Sequence, residues 1–346
     1  METLWFCLIA AMLAAYVVFD GFDLGAGILH LALARTDDER RLVLRSIGPV
    51  WDGNEVWLVA AAASLLLAFP PLYASAFSGF YLPLMIVLWL LMLRGIAIEL
   101  RNHIDSPVWR SLWDVTFGVS SLLLVVFLGV ALGNVIRGVP LEPNGRFFVP
   151  LWTNFRPGAD PGVLDAYTLL VGLAALATLT LHGALWIALK TGGELQARAR
   201  RTVDFVWWGV AALTVVLTLF TMRVQPQIAA SLASRPWGYV FPVIALAGLV
   251  AVLWFTAHEQ DAAAFLASST HIAAMISSAA FGLFPYVLPS STDPSLGLTV
   301  YSAAAPAAGL RVGLAWWIPG MALVALYFFF AYRKFSGKAE LGGEGY

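Results

Sequence analysis

The chain has 346 residues, of which 60% are apolar and only 12% are charged. A soluble globular protein carries about a quarter charged residues, so this composition excludes the soluble class and predicts a polytopic membrane protein. The net charge of −1 gives no reason to expect a nucleic-acid partner, and the single cysteine, Cys7, excludes an internal disulfide, a cysteine zinc cluster and a cysteine-ligated iron–sulfur cluster.

Nine apolar segments are long enough to cross a bilayer, which takes about 20 residues in a helix. The first has no positively charged stretch before it, so we expect a retained membrane span rather than a cleaved signal peptide. The segments lie at residues 3–33, 49–69, 76–99, 114–137, 163–189, 203–222, 238–257, 264–288 and 312–332. The predicted fold class is therefore an all-α polytopic membrane protein with about nine transmembrane helices.

The whole chain, residues 1–346, is expected to form a single integral membrane domain. The segment GILHLALA from Gly27 resembles GALWIALK from Gly183, and each precedes a charged turn. This similarity indicates two four-helix bundles and one peripheral helix: helices one to four over about residues 3–137, five to eight over about 163–288, and the ninth over about 312–332. Lys and Arg are about twice as frequent in the loops on one side, which predicts an N-terminus outside and a C-terminus in the cytoplasm.

The first predicted helix carries two acidic residues inside an apolar segment, Asp20 and Asp23. A carboxylate at bilayer depth is costly and marks a functional site by default. Residues three apart lie on one face of a helix, and Gly21 and Gly25 beside them allow a second helix to approach closely. Two interpretations stay open: a proton relay, or a structural role in which the acids satisfy backbone groups or pair with an arginine of another helix.

Asp52 and Glu55 repeat the same spacing at the start of the second predicted helix, after Pro49. Asp52 follows Arg45 by a stretch that spans on the order of 10 Å in a helix, which is deep enough to leave the lipid headgroups and shallow enough for water to reach. This position favours a role for both acids in a proton path. Compensation of the helix dipole is the alternative.

Arg94 and Glu99 lie on the third predicted helix, near its predicted inner end. Arg94 is the deeper charge and needs an anionic partner, for which Asp20 and Asp23 are the candidates. We therefore assign Arg94 and Glu99 to a structural ion pair and its polar network.

His182 and His271 both lie within apolar helices, about 12 Å from their predicted cytoplasmic ends. Two such histidines can ligate a haem between helices, and the alternative is a hydrogen bond to a neighbouring helix. Asp114 begins a helix on the cytoplasmic side, where the helix dipole accounts for an acidic residue. No motif for a metal site, a nucleotide or a catalytic nucleophile is present.

Five motifs resemble those of a known family. FDGFDLGAG, SIGPVWDGNEVWL, AFSGFY, RGIAIELR and FPYVLPSS occur in the order and spacing found in subunit II of the bacterial cytochrome bd quinol oxidases, including the cyanide-insensitive branch. The resemblance implies a haem-free scaffold in the bacterial cytoplasmic (inner) membrane, paired by pseudo-twofold symmetry with a nine-helix subunit I. It implies two haems b, a haem d or b, and the quinol-oxidising loop in that partner.

The resemblance also implies roles for residues of this chain. Asp52 matches the family's proton-path acid, and Asp20, Asp23, Arg94 and Glu99 match other polar positions. Small single-helix subunits, membrane lipid and quinone are further partners in such complexes. Longer members that continue past the ninth helix can bind a structural quinone, so the resemblance does not extend to a quinone in this chain.

Two functions follow from these observations. In the first, the chain is a subunit of an oxidase that oxidises quinol on the outer side and reduces O2 to water with cytoplasmic protons, and it contains no catalytic residue or metal ligand of its own. In the second, it is a stand-alone proton-coupled transporter that uses the same acids. The sequence contains no pair of Gly/Pro-broken helices in inverted positions, which are typical of such transporters.

Overall fold

A computed structural model describes residues 1–158 and 161–341, and these residues are almost entirely helical. The helices are α1 Glu2–Leu33, α2 Asp37–Ile47, α3 Trp51–Ala68, α4 Pro70–Gly79, α5 Tyr81–Leu100, α6 Pro107–Arg137, α7 Ala166–Lys190, α8 Gly193–Val224, α9 Pro226–Ser234, α10 Val240–Ala257, α11 Asp261–Leu283 and α12 Ala307–Lys334. Two short antiparallel strands, β1 (Tyr286–Leu288) and β2 (Leu298–Thr299), form a hairpin between α11 and α12.

Eight of the described helices are long and apolar enough to cross a membrane: α1, α5, α6, α7, α8, α10 with its preceding turn, α11 and α12. The predicted all-α polytopic class is therefore confirmed. The second predicted span corresponds to α3, whose first turns contain Asp52, Asn54 and Glu55 and lower its apolar character. The count of nine spans, the orientation and the division into two bundles stay predictions.

Two predicted boundaries are wrong because of prolines. The predicted helix 76–99 is broken at Phe80, since Pro83 has no N–H to donate to the carbonyl of Gly79 and its ring crowds that carbonyl. The predicted helix 264–288 ends at Leu283, because Phe284 precedes Pro285 and adopts an extended conformation (ψ 132°). The residues that follow form β1 instead.

The predicted helix 203–222 extends in the structure from Gly193 to Val224. Its additional N-terminal residues are charged, GELQARARR, and continue the helix beyond the apolar segment. A helix does not need to end where the apolar stretch ends, because its backbone hydrogen bonds are made internally.

The first helix packs tightly against α7 through glycines. A Cβ atom built on Gly25 would lie 2.0 Å from the carbonyl oxygen of Leu179, and one on Gly183 would lie 2.2 Å from the backbone of Gly25. The two backbones are therefore in direct contact, as the small residues of α1 indicated. This contact fixes the rotation of α1 and hence the direction in which Asp20 and Asp23 point.

Candidate functional site

Arg94 is the centre of a buried ion cluster that joins α1, α3 and α5. Its Nη1 donates to Asp20 Oδ1 at 2.7 Å, and its Nη2 donates to Glu55 Oε2 at 2.8 Å. Arg94 and Asp20 are fully buried, and the Glu55 side chain is 23% exposed. Of the two predicted partners of Arg94, the structure brings Asp20 into contact. The second partner of Arg94 is Glu55, for which the sequence analysis predicted a role in a proton path.

Asp23 belongs to an adjoining chain of hydrogen bonds. Asn54 Nδ2 donates to Asp23 Oδ2 at 2.7 Å, and the hydroxyl of Tyr332 donates to Asn54 Oδ1 at 2.8 Å. Asp23 and Asn54 are buried, and Tyr332 is half-buried near the end of α12. Asp20 and Asp23 therefore share one face of α1 but have different partners. We call Asp20, Asp23, Glu55 and Arg94 the carboxylate cluster.

Several buried atoms of this region have no hydrogen-bond partner among the described residues. They are Asp20 Oδ2, Asp23 Oδ1, Arg94 Nε and the hydroxyl of Tyr16, which lies one helical turn before Asp20. Buried polar groups are nearly always hydrogen-bonded. The carboxylate cluster thus retains acceptor and donor capacity for a proton or a water molecule.

Asp52 lies at the exposed edge of the carboxylate cluster, in the first turn of α3. It is one helical turn before the half-buried Glu55, and it shares a helix face with Val56 and Val59, which are 51% and 65% exposed. Its position in the first turn also satisfies the helix-dipole interpretation. Glu99 is exposed near the end of α5, outside the buried part of the site.

A second ion cluster surrounds Asp114 at the N-terminal end of α6. Asp114 accepts hydrogen bonds from Arg101 Nε at 2.5 Å and from Arg40 Nη1 at 3.1 Å, and His30 Nε2 lies 2.6 Å from its Oδ1. Arg101 also contacts Asp37 at 2.7 Å. The helix dipole is therefore an incomplete explanation of Asp114, whose side chain is buried and ties α1, α2 and α5 to α6.

The two histidines considered for haem ligation make hydrogen bonds within the chain. His182 has Ser268 Oγ 3.0 Å from its Nδ1 and the carbonyl oxygen of Val18 3.0 Å from its Nε2, and its ring stacks on Phe265 at 4.7 Å. His271 Nδ1 lies 2.8 Å from the carbonyl oxygen of Ala245. With both ring nitrogens engaged, His182 does not fit an axial haem ligand.

Within residues 1–158 and 161–341, no group of three or more His, Cys, Asp or Glu side chains is arranged to hold a metal ion. The candidate site described above consists of carboxylates, one guanidinium and their hydrogen-bond partners.

Asn54 and Tyr332 are the members of the site that sequence reasoning missed. They are 278 residues apart, so no local pattern connects them. A signal was present for Asn54, a polar residue between two acids at the start of an apolar helix. Tyr332 has the ordinary position of an interfacial aromatic residue and gives no comparable signal.

Comparison with known proteins gives a consistent result. Residues 1–335 match the family model described as cytochrome bd terminal oxidase subunit II. The chain is 32% identical to cytochrome bd-I ubiquinol oxidase subunit 2 of Escherichia coli K12, covering 97% of this chain and 94% of that protein. It is 30% identical to cytochrome bd ubiquinol oxidase subunit 2 of Bacillus subtilis, covering 90% of this chain and 89% of that protein.

The fold also matches a solved structure. The bd oxidase of Geobacillus thermodenitrificans contains a chain that superimposes with a TM-score of 0.76 at 19% identity, covering 96% of this chain and 98% of that one. The resemblance first suggested by the five motifs is confirmed along nearly the whole sequence, and the chain belongs to the family of cytochrome bd terminal oxidase subunit II.

Proposed function

We propose that this chain conducts cytoplasmic protons through Asp52 and the carboxylate cluster toward the haems of its partner subunit. Family membership makes the chain a subunit of a haem-containing quinol oxidase, and it is a multi-pass protein of the bacterial inner membrane with a subunit I partner. The haems provide the site at which O2 is reduced. The stand-alone transporter is not retained, because the family is defined by an oxidase subunit.

The observation that carries the proposal is the charge balance of the carboxylate cluster. Asp20, Asp23 and Glu55 provide three carboxylates, and Arg94 is the guanidinium that lies among them. Fully ionised, this arrangement would leave excess negative charge buried at membrane depth, which is strongly unfavourable. The cluster therefore holds at least one proton, and a bound proton that can exchange is what a relay requires.

The geometry supports one order of transfer. Asp52 is exposed and receives the proton, and Glu55, one turn further along α3, is half-buried and passes it inward. Glu55 shares Arg94 with Asp20, so a change of protonation on one carboxylate alters the attraction of Arg94 for the other. Asp23 is held by the amide of Asn54, and since an amide is a poor proton carrier, we place Asp23 beside the path rather than at its entrance.

The exposed face of α3 is the expected contact with the haem-bearing partner. It presents Asp52 together with the exposed side chains of Val56 and Val59. A carboxylate on an apolar membrane face is costly against lipid and is stabilised when protein and water cover it. We expect two haems b and a haem d or b in the partner, quinol as the electron donor, and small single-helix subunits, lipid or quinone as further components.

The proposal is tested by replacing each proton-path acid with its amide in the purified complex. For Asp52→Asn and Glu55→Gln we expect O2 uptake with saturating quinol to fall on the order of 100-fold, the scale of a lost acid–base group, while the haem absorption spectrum is retained. Asp38→Asn, an exposed acid of α2, is the matched control and should keep full turnover. Wild-type O2 uptake in both test variants would rule out an essential proton role for these acids.

A further inference from the structure

All three lysines of the chain line a single cavity of about 200 Å³ at the predicted cytoplasmic surface. Lys190 is the last residue of α7, Lys334 is the last residue of α12, and Lys338 lies in the segment that follows α12. Arg45, in the last turn of α2, lines the same cavity. Three separate parts of the chain therefore bring their basic residues to one place.

The segment after α12 forms part of the cavity wall through specific hydrogen bonds. Lys190 Nζ donates to the carbonyl oxygens of Phe335 at 2.5 Å and Gly337 at 3.0 Å. The backbone N–H of Ala339 donates to the carbonyl oxygen of Lys190 at 2.7 Å, and Arg45 Nη1 donates to the carbonyl oxygen of Glu340 at 2.5 Å. The cavity is thus built by folding the chain back onto α2 and α7.

Two of the lysines in the wall, Lys190 and Lys338, make hydrogen bonds to neutral oxygen atoms. None of the described residues that line the cavity is Asp or Glu, and the carbonyl groups bound by Lys190 are neutral. Lys338 Nζ contacts a neutral amide oxygen, Gln196 Oε1, at 3.3 Å. The preference of cytoplasmic loops for basic residues explains on which side the lysines lie, but it does not explain why all of them line one cavity.

We propose that this cavity binds the phosphate of an anionic phospholipid headgroup, such as that of phosphatidylglycerol or cardiolipin. Basic pockets at the cytoplasmic ends of membrane helices bind such headgroups. Trp186 and Tyr332 line the cavity, as interfacial aromatic residues do. On α12, Phe330 lies one turn before Lys334 and is 59% exposed, and the preceding residue, Phe329, is 57% exposed. This apolar surface accommodates the acyl chains, which a free phosphate ion does not have.

The test uses the complete haem-bearing complex in three nanodisc preparations: phosphatidylcholine alone, phosphatidylcholine with phosphatidylglycerol, and the latter with added inorganic phosphate. Native mass spectrometry counts the phosphatidylglycerol retained after release into detergent. We expect the wild type to retain one molecule that inorganic phosphate does not displace. In the Lys190→Gln, Lys334→Gln, Lys338→Gln triple variant, binding should weaken on the order of 100-fold, since each basic residue contributes about fivefold.

The matched control removes the same charge outside the cavity, at Arg35, Arg41 and Arg201, each replaced by Gln. This control should retain the lipid as the wild type does. Wild-type retention in the lysine triple variant would overturn the proposal, and displacement by inorganic phosphate would contradict a lipid as the ligand. If the triple variant fails to assemble, the single variant Lys338→Gln, in the exposed segment, is tested instead. We expect about fivefold weaker lipid retention, and unchanged retention would contradict the proposal. These readouts do not depend on turnover, so they are independent of the proposed proton path.

Discussion

Arg94 contacts Asp20 and Glu55 from a fully buried position on α5, so its charge is balanced within the chain. Such a pair contributes little net stability relative to an apolar core, because both charges have lost their hydration. Removal of one partner is a different matter, since it leaves the remaining charge buried and unpaired. Substitution of a single residue therefore tests whether the carboxylate cluster is required for the fold.

We expect Arg94→Ala to prevent assembly of the complex. The substitution leaves Asp20 buried with no cation beside it, at a cost of about 3–5 kcal/mol, which is a large share of the stability of most proteins. The measurement is the yield of haem-loaded complex from membranes. Arg41→Ala removes an arginine that is 39% exposed and should leave the yield unchanged. A normal yield for Arg94→Ala would show that the ion cluster is not required for the fold.

Tyr332→Phe removes the hydroxyl that donates to Asn54 and leaves the buried Asn54 oxygen without that donor. We expect the complex to assemble with its thermal stability lowered by about 1–3 kcal/mol, the cost of an unsatisfied buried polar group. Tyr327→Phe on the same helix is the control, because Tyr327 is 53% exposed. The melting temperature of each variant is measured from the haem absorption during heating. Equal melting temperatures for the two variants would contradict the hydrogen-bond chain to Asp23.

At the scale of the element, α1 is the helix whose position matters most for the site. It carries Asp20 and Asp23, and its rotation is fixed by backbone contact with α7 at Gly25 and Gly183. A helix held by small residues cannot adjust to a larger side chain without moving its neighbour. The geometry of the carboxylate cluster therefore depends on a glycine contact that makes no polar interaction with it.

Gly25→Ala tests this dependence. The added methyl group would meet the carbonyl oxygen of Leu179 at 2.0 Å, so α1 and α7 must separate, and we expect a lower yield of complex and reduced O2 uptake in the fraction that assembles. Gly209→Ala on α8 is the matched control, because a Cβ there meets no atom within 4 Å and alanine favours the helix by about 1 kcal/mol. Indistinguishable behaviour of the two variants would contradict the close packing of α1 and α7.

At the scale of the whole molecule, composition and motifs predicted the membrane class and the family, because apolar segments and short motifs are both recognised from neighbouring residues in the sequence. The helix periodicity also placed Asp20 and Asp23 on one face. The periodicity could not predict that the two acids have different partners. Arg94 lies 74 residues from Asp20, and Tyr332, which bonds the Asp23 partner Asn54, lies 278 residues from Asn54. The ion cluster at Asp114 was missed for the same reason, with His30 84 residues away. Pro83 and Pro285 are sequence signals for helix breaks. The predicted helices nevertheless continued across them, because the apolar segments on both sides are long.

For the whole complex, we propose that protons for O2 reduction enter from the cytoplasm through Asp52, Glu55 and Asp20. The most direct test of this proposal is proton uptake from the cytoplasmic side of the complex in liposomes, recorded with a pH-sensitive dye during a single turnover started by O2. We predict that Glu55→Gln slows this proton uptake on the order of 100-fold. Electron transfer among the haems before the proton-dependent step should keep its wild-type rate. In the control variant Asp38→Asn, proton uptake should also keep its wild-type rate. Proton uptake at the wild-type rate in Glu55→Gln would contradict the account.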